Sequence, residues 1–240
     1  MKLSNLIIAA VLIALPAQSS DTQQVNLQGG LPVKNKSLTK VDSSRVMVLE
    51  GVVQNSNMDA LSAQLKELAK SPKKPAYLDI NSPGGSVRAG LRFIETMIGA
   101  KAETGLKVTC VITEAAYSMA AVIAAYCHDT WMLPGADMMF HGASYGVKGE
   151  AEDIANMVAF MNRWLVAMER ELAHQLGLSY GEFRHARGRE LWLTAFDASR
   201  LGFVNGITRY FYHDAEAPEL TFSLFDLLFQ NDVEYITEVE

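Results

Sequence analysis

Thr113-Glu114-Ala115-Ala116-Tyr117-Ser118-Met119-Ala120-Ala121 joins a strand-like run, residues 106–112, to an apolar, helix-like run that continues through residue 126. A serine at such a turn lies where unpaired backbone N–H groups and the positive end of the helix dipole favour a developing anion. The small residues at 116 and 120 let the turn close tightly, as glycines do in nucleophile elbows. Ser118 is therefore a candidate nucleophile, and an ordinary helix N-cap is the alternative.

A glycine turn lies upstream, in Tyr77-Leu78-Asp79-Ile80-Asn81-Ser82-Pro83-Gly84-Gly85-Ser86-Val87, between a strand-like and a helix-like run. Paired glycines adopt backbone conformations that are closed to other residues and let a ligand approach the main chain. The N–H groups of Gly84 and Gly85 are candidates for one side of an oxyanion hole, with the N–H of Met119 on the other. A simple tight turn is the alternative.

A histidine ends an apolar, strand-like run downstream, in Met138-Met139-Phe140-His141-Gly142-Ala143. Histidine is the commonest general base in proteins, and a serine needs such a base to become a nucleophile. His141 is therefore the candidate base for Ser118. The alternative is a buried histidine whose hydrogen bonds are satisfied by its neighbours.

Taken together, these segments resemble the motifs of the ClpP family of serine peptidases. Residues 81–85 resemble its Ser-Pro-Gly-Gly oxyanion loop, residues 117–120 its Ala-Ser-Met-(Gly/Ala) nucleophile motif, and Phe140-His141 its Ile-His motif. A fourth segment, Arg189-Glu190-Leu191-Trp192-Leu193-Thr194-Ala195, is similar to the family's Arg-Asp-x-Phe-(Leu/Met)-Ser-Ala. The motifs follow the family's order, and the resemblance covers residues 44–208.

The resemblance implies an α/β fold of the ClpP/crotonase type, a spiral of β-β-α units, and catalysis by serine, histidine and a third, acidic residue. That third residue is the Asp of the family's Arg-Asp pair, and this chain has Glu190 at the position. Glutamate can also orient a histidine and stabilise its imidazolium. Because glutamate is one methylene longer than aspartate, the geometry must adjust.

Strand-like and helix-like runs alternate along the first half of the chain, which predicts a mostly parallel sheet covered by helices. We expect a buried strand at 46–53, a helix at 59–69, a strand at 76–80 and a helix at 87–98. The inward residues expected for the second helix are Leu91, Ile94, Met97 and Ile98. The longest helical pattern, 148–176, falls where the family has a long handle helix that joins two rings. Its apolar face suits a subunit interface, and packing on its own domain is the alternative.

The N-terminus has the pattern of a secretory signal peptide. A basic start, an apolar run at 6–15 and small residues at Ala17 and Ser19 predict cleavage after residue 19, with an uncleaved anchor as the alternative. We therefore expect an exported protein, periplasmic or secreted, with no membrane span after cleavage. The ATP-driven unfoldase of cytoplasmic family members is not expected there, because an exported protein meets no ATP pool.

The two cysteines flank the predicted nucleophile helix. Cys110 lies in the strand-like run before Ser118, and Cys127 lies just past the helix-like run that follows it. In an oxidising compartment this placement predicts a disulfide that braces the helix. Two buried free thiols are the alternative.

Composition excludes several function classes. Of 240 residues about 220 remain after signal cleavage, which fits one domain. The formal net charge of −6 and the lack of a basic patch argue against nucleic-acid binding. No metal-ligand spacing or phosphate loop is found, so no metal or cofactor is expected. Residues 20–43 read as a polar linker or edge segment, and 209–240 as an extension that mixes acidic and aromatic residues.

The sequence therefore predicts an exported, homo-oligomeric serine endopeptidase that hydrolyses peptides or unfolded polypeptide segments. The expected catalytic residues are Ser118, His141 and Glu190, with backbone oxyanion donors at Gly84, Gly85 and Met119. Two alternatives remain: a non-catalytic scaffold or peptide-binding protein of the same fold, and a crotonase-type enzyme that acts on acyl-CoA thioesters.

Overall fold

A mostly parallel β-sheet forms the centre of the computed structural model, which describes residues 33–38, 41–211 and 233–234. The elements in chain order are β1 (Val33–Leu38), β2 (Val46–Glu50), α1 (Asn55–Ala69), β3 (Ala76–Ser82), α2 (Val87–Thr104), β4 (Val108–Tyr117), α3 (Met119–Ala125), β5 (Asp129–Met132), β6 (Asp137–His141), α4 (Ala151–Gln175), α5 (Tyr180–Arg187), β7 (Glu190–Thr194), α6 (Ala195–Arg200), β8 (Gly206–Phe211) and β9 (Val233–Glu234).

The strand order of the sheet is β2-β3-β4-β5-β8-β1-β9, with β6 paired to the end of β4. All of these pairs are parallel, and only β7 runs antiparallel, against β6. Parallel neighbours require crossover connections, which the helices between the strands supply. The predicted α/β class with a mostly parallel sheet is confirmed.

Helix α2 shows how the local sequence sets the elements around the sheet. The Ser86 side chain caps its first turn by accepting from the N–H of Ala89, and Gly105 ends it in the left-handed conformation at φ 75°. Its apolar residues recur every three or four positions, so that Phe93 and Met97 lie buried in the core. The capping boxes at Ser179 and Thr194 start α5 and α6 in the same way.

Two details of the expected core are wrong. The strand expected at 46–53 is not buried throughout: β2 ends at Glu50, alternates between buried and exposed residues, and leaves Val48 48% exposed. Successive side chains of a strand point to opposite faces, and here one face packs on the core while the other lies open to solvent. Ile98 is 51% exposed rather than inward, because the buried face of α2 is centred on Phe93 and Met97.

Helix α4 is mostly uncovered by the rest of the described chain. Its buried residues are Glu169, Leu172 and Ala173, all in the C-terminal third of the helix. Met157 and Phe160, nearer its start, are 50% and 54% exposed. Of the two alternatives for the long helix, this exposure favours an interface with another molecule over packing on its own domain.

Several predicted segments lie partly or wholly outside the described residues. The signal peptide at 1–19 is outside them, as is most of the 209–240 extension. Within the 20–43 segment the structure forms β1, which pairs in parallel with β8. Within the described ranges, no helix combines the length and the apolar character that a membrane crossing requires.

Candidate active site

Ser118 lies in a sharp turn between β4 and α3. Its backbone has φ 54° and ψ −119°, and it is the one non-glycine residue with positive φ in the part of the chain that the structure describes. Such a conformation costs about 1–3 kcal/mol and persists only where the surroundings enforce it. Here the Ser118 N–H donates to the Met139 carbonyl at 2.8 Å, and its carbonyl accepts from the Val122 N–H at 3.2 Å. The predicted elbow is therefore present.

His141 lies beside the serine hydroxyl. Its Nε2 atom is 2.7 Å from Ser118 Oγ, which is hydrogen-bond distance. The sheet register explains the contact, because β6 pairs in parallel with the end of β4 and aligns Met139 with Tyr117. The last residue of β6 then lies just beyond the end of β4, where the serine begins the turn. The structure thus brings together the two residues that the sequence singled out.

The glycine turn packs directly against this elbow. Gly84 has φ +84°, and a Cβ at this position would lie 2.8 Å from the Cβ of Ser118 and 2.8 Å from the N atom of Met119. Gly85, at φ +147°, has a similarly close neighbour in Val53. Real Cβ atoms do not approach other atoms so closely, so only glycine fits at these two positions.

Hydrogen bonds fasten the turn to the segment after β2. The Val53 N–H donates to the Gly84 carbonyl and the Ser86 N–H to the Val53 carbonyl, both at 2.8 Å. The Ser82 hydroxyl donates to the Gly51 carbonyl at 2.6 Å. The turn is therefore held rigidly before any substrate binds, which is what an oxyanion hole requires.

One of the three predicted oxyanion amides already has an acceptor. The Gly84 N–H donates to Ser82 Oγ at 3.1 Å, so Gly84 positions the turn rather than offering a free donor. For the Gly85 and Met119 N–H groups, the described ranges contain no recorded acceptor. Met119 is the first residue of α3, where a helix has no preceding turn to bond its amides.

Glu190 is in register with the histidine but is bonded elsewhere. It is directly opposite His141 in the antiparallel β6–β7 pair. Its Oε2 atom accepts from the indole N–H of Trp192 at 2.9 Å. Within the described ranges, the carboxylate of Glu190 makes no recorded hydrogen bond to the His141 ring. The sequence analysis did not predict this hydrogen bond from Trp192. Because Trp192 is two residues after Glu190 in the strand, the two side chains project from the same face.

A tyrosine and an aspartate form a second pair that sequence reasoning missed. The Tyr117 hydroxyl donates to Asp137 Oδ1 at 2.7 Å. This hydrogen bond, together with burial and the negative charge of Asp137, raises the pKa of Tyr117 to about 12. The Tyr117 ring meets the Trp192 ring edge to face, with 5.1 Å between centroids. No local sequence pattern predicts these contacts, because they depend on which strands pair.

A disulfide and a buried ion pair join the elements around the site to one another. Cys110 and Cys127 form a disulfide between β4 and the turn that follows α3. Further away, the guanidinium of Arg187 lies 3.1 Å from a carboxylate oxygen of Glu169, and both side chains are buried. The Arg187 guanidinium also lies close to Gly142, the residue after His141.

Across the described residues, no group of histidine, cysteine or acidic side chains is placed to hold a metal ion.

Comparison with known proteins identifies the relatives of this chain. The family model described as Clp protease matches residues 30–210. The "ATP-dependent Clp protease proteolytic subunit 1" of Frankia casuarinae is 30% identical over 183 residues, which cover 76% of this chain and 85% of the relative. The "ATP-dependent Clp protease proteolytic subunit" of Streptococcus suis is 31% identical, and that of Streptococcus pneumoniae 32%, each over 168 residues. These residues cover 68% of this chain and 84% of either relative.

Proposed function

Because the chain belongs to the Clp protease family, we propose that it is a serine endopeptidase that cleaves peptides or unfolded polypeptide segments. The observation that carries the proposal is the 2.7 Å contact between Ser118 Oγ and His141 Nε2 at the strained elbow. Such a pair is the signature of an activated nucleophile with its base. A crotonase-type enzyme needs no such pair.

The proposed reaction begins when His141 Nε2 takes the hydroxyl proton of Ser118 as Oγ attacks the peptide carbonyl carbon. The carbonyl oxygen becomes an oxyanion and accepts from the N–H groups of Gly85 and Met119, each worth roughly 3 kcal/mol of barrier. His141 then gives the proton to the leaving amine as the C–N bond breaks. Water, deprotonated by the same histidine, releases the acyl group from the serine.

Glu190 is the proposed third member of the catalytic group. Residues directly opposite in an antiparallel pair have Cβ atoms about 4.5–5.5 Å apart, so a glutamate carboxylate at this position is within reach of the His141 ring. Its negative charge would stabilise the imidazolium that forms during attack and hold the ring in its productive orientation.

The protein is further proposed to act as a homo-oligomer. The support is the uncovered face of α4, where Met157 and Phe160 expose apolar area on a helix attached to the body mainly by its C-terminal third. The names of its relatives also describe them as proteolytic subunits. Enclosure by neighbouring subunits would restrict access to short peptides and unfolded segments.

Export is part of the proposal. It is supported by the signal-like N-terminus and by the disulfide between Cys110 and Cys127, since disulfides persist in oxidising compartments. An exported chain would work without an ATP-driven partner, unlike the relatives whose names call them ATP-dependent. The measurement is the intact mass of the protein recovered from its source, and a protein that retains residues 1–19 would contradict export by signal cleavage.

The first test of the activity is covalent labelling of the purified protein with a fluorophosphonate probe. Wild type should be labelled, and Ser118→Ala and His141→Ala should not, because one lacks the nucleophile and the other its base. Peptide mapping should place the label on Ser118. A folded wild-type protein that is not labelled would contradict the peptidase proposal and favour the scaffold alternative.

A further inference from the structure

A line of side-chain contacts leads from the start of β6 to the residue opposite the histidine. Asp137 Oδ1 accepts from the Tyr117 hydroxyl at 2.7 Å. The Tyr117 ring meets the Trp192 ring at 5.1 Å and an interplanar angle of 67°. The Trp192 indole N–H then donates to Glu190 Oε2 at 2.9 Å. Asp137 thus holds the Tyr117 side chain, Tyr117 contacts Trp192, and Trp192 holds the carboxylate of Glu190.

The sheet register places this line on the catalytic face. In the β6–β7 pair, Met139 is opposite Trp192 and His141 is opposite Glu190. Alternate residues of a strand project to the same side, so Trp192, Glu190 and His141 share one face. The contact between Trp192 and Glu190 therefore lies beside the catalytic histidine.

Packing alone does not explain the position of Trp192. Its side chain is 54% exposed, so it adds little to the core. What holds it is the edge-to-face contact with the Tyr117 ring, and the Tyr117 hydroxyl is bonded in turn to Asp137. The hydrogen bond to Asp137, with burial and the charge of that carboxylate, raises the pKa of Tyr117 to about 12, so the phenol remains a donor at neutral pH.

We propose that Trp192 is a positioning residue, which sets the Glu190 carboxylate against His141. Glutamate has one more rotatable bond than aspartate, so its carboxylate samples more positions around the ring. A hydrogen bond from a fixed indole to Oε2 removes much of that freedom and leaves Oε1 available to the His141 ring. This inference rests on the proposed serine peptidase function, because it concerns the third member of that catalytic group.

The test is a double-mutant cycle in the full-length chain, read out as the rate constant for labelling of Ser118 by the fluorophosphonate probe. Trp192→Phe keeps an aromatic ring but removes the indole N–H, and should slow labelling by about three- to tenfold. In a Glu190→Ala background the same change should have no further effect, because the group that it positions is absent. Tyr117→Phe should act in the same direction, also only when Glu190 is present.

Controls separate positioning from folding. Ile98→Ala, at an exposed position of α2 outside the proposed site and interface, should leave the labelling rate unaltered. The thermal midpoint of Trp192→Phe should stay close to that of wild type, because the lost contact is largely exposed.

Two results would overturn the inference while wild type is still labelled. One is a Trp192→Phe variant as fast as wild type; the other is equal slowing in the wild-type and Glu190→Ala backgrounds. A wild type without any labelling would overturn the peptidase proposal and this inference together.

Discussion

Ser118 and Gly84 are the two residues whose backbones define the site. Ser118 has a positive φ, which residues with a Cβ avoid. Gly84 lies so close to it that a side chain at position 84 would not fit. The strained serine is stable because its N–H bonds to Met139 and because the glycine turn closes against it. The backbone geometry of Ser118 therefore depends on a neighbour 34 positions away in the sequence.

Gly84→Ala should disrupt the elbow. The new Cβ would lie 2.8 Å from the Cβ of Ser118 at a φ of +84°, so we expect the unfolding free energy to fall by about 2–4 kcal/mol. Labelling of Ser118 should fall with it, because the oxyanion turn is displaced. Urea unfolding and the labelling rate are the measurements.

The matched control for that change is Gly99→Ala. Gly99 lies inside α2, where an added Cβ would meet nothing within 4 Å, so alanine should raise the unfolding free energy by about 0.5–1 kcal/mol. Equal effects of the two substitutions would show that the close approach at Gly84 is unimportant.

At the scale of elements, β4 and α3 act as one unit around Ser118. The strand leads directly into Ser118, α3 begins at the next residue, and the disulfide ties the turn after α3 back to β4. The partner strands β3, β5 and β6 all pair with β4, so the elbow follows the most extensively paired strand of the described sheet. Ser118 is therefore held between well-paired elements on both sides.

Removing the disulfide should destabilise the fold without changing its topology. The bond spans a sequence separation of 17, for which the chain-entropy model gives about 3 kcal/mol of stabilisation. The double variant Cys110→Ala/Cys127→Ala should therefore unfold at lower urea concentration than wild type. Reductant should lower the wild-type midpoint and leave that of the double variant unchanged; a wild type that is insensitive to reductant would contradict the prediction.

At the scale of the whole molecule, the rest of the described chain leaves most of α4 uncovered. Its exposed apolar residues lie in the half of the helix that is far from the buried pair formed by Glu169 and Arg187. That ion pair joins the C-terminal third of α4 to α5, and Arg187 lies close to Gly142, the residue after His141. Assembly through α4 would thus occur on an element anchored close to His141.

Phe160→Lys should reduce the size of the assembly, because it places a charge in the apolar face proposed as the interface. The measurement is molar mass by sedimentation, with the oligomer of wild type replaced by a smaller species. Ile98→Lys is the control, since Ile98 is a similarly exposed apolar residue, 51% exposed, on a different helix, α2. An unchanged mass for Phe160→Lys, or an equal loss in both variants, would contradict the interface.

Part of this protein could be predicted from the sequence alone. The serine elbow, the glycine turn and the strand-terminal histidine are encoded in short segments whose residue types permit few backbone conformations. Small residues around Ser118, paired glycines at 84 and 85 and the caps at Ser179 and Thr194 act locally, so their consequences can be read without a partner strand. The alternation of apolar runs likewise determined the α/β class.

Only the tertiary structure decided how these segments meet. The partner of Glu190, the hydrogen bond that occupies the Gly84 amide, the Tyr117–Asp137 pair and the buried Glu169–Arg187 pair all depend on strand register, turn geometry or helix packing. The exposure of Ile98 and of α4 depends in the same way on which face of a helix meets the core. Local sequence determines which conformations a segment can adopt, whereas the contacts of a side chain depend on the neighbours that folding brings to it.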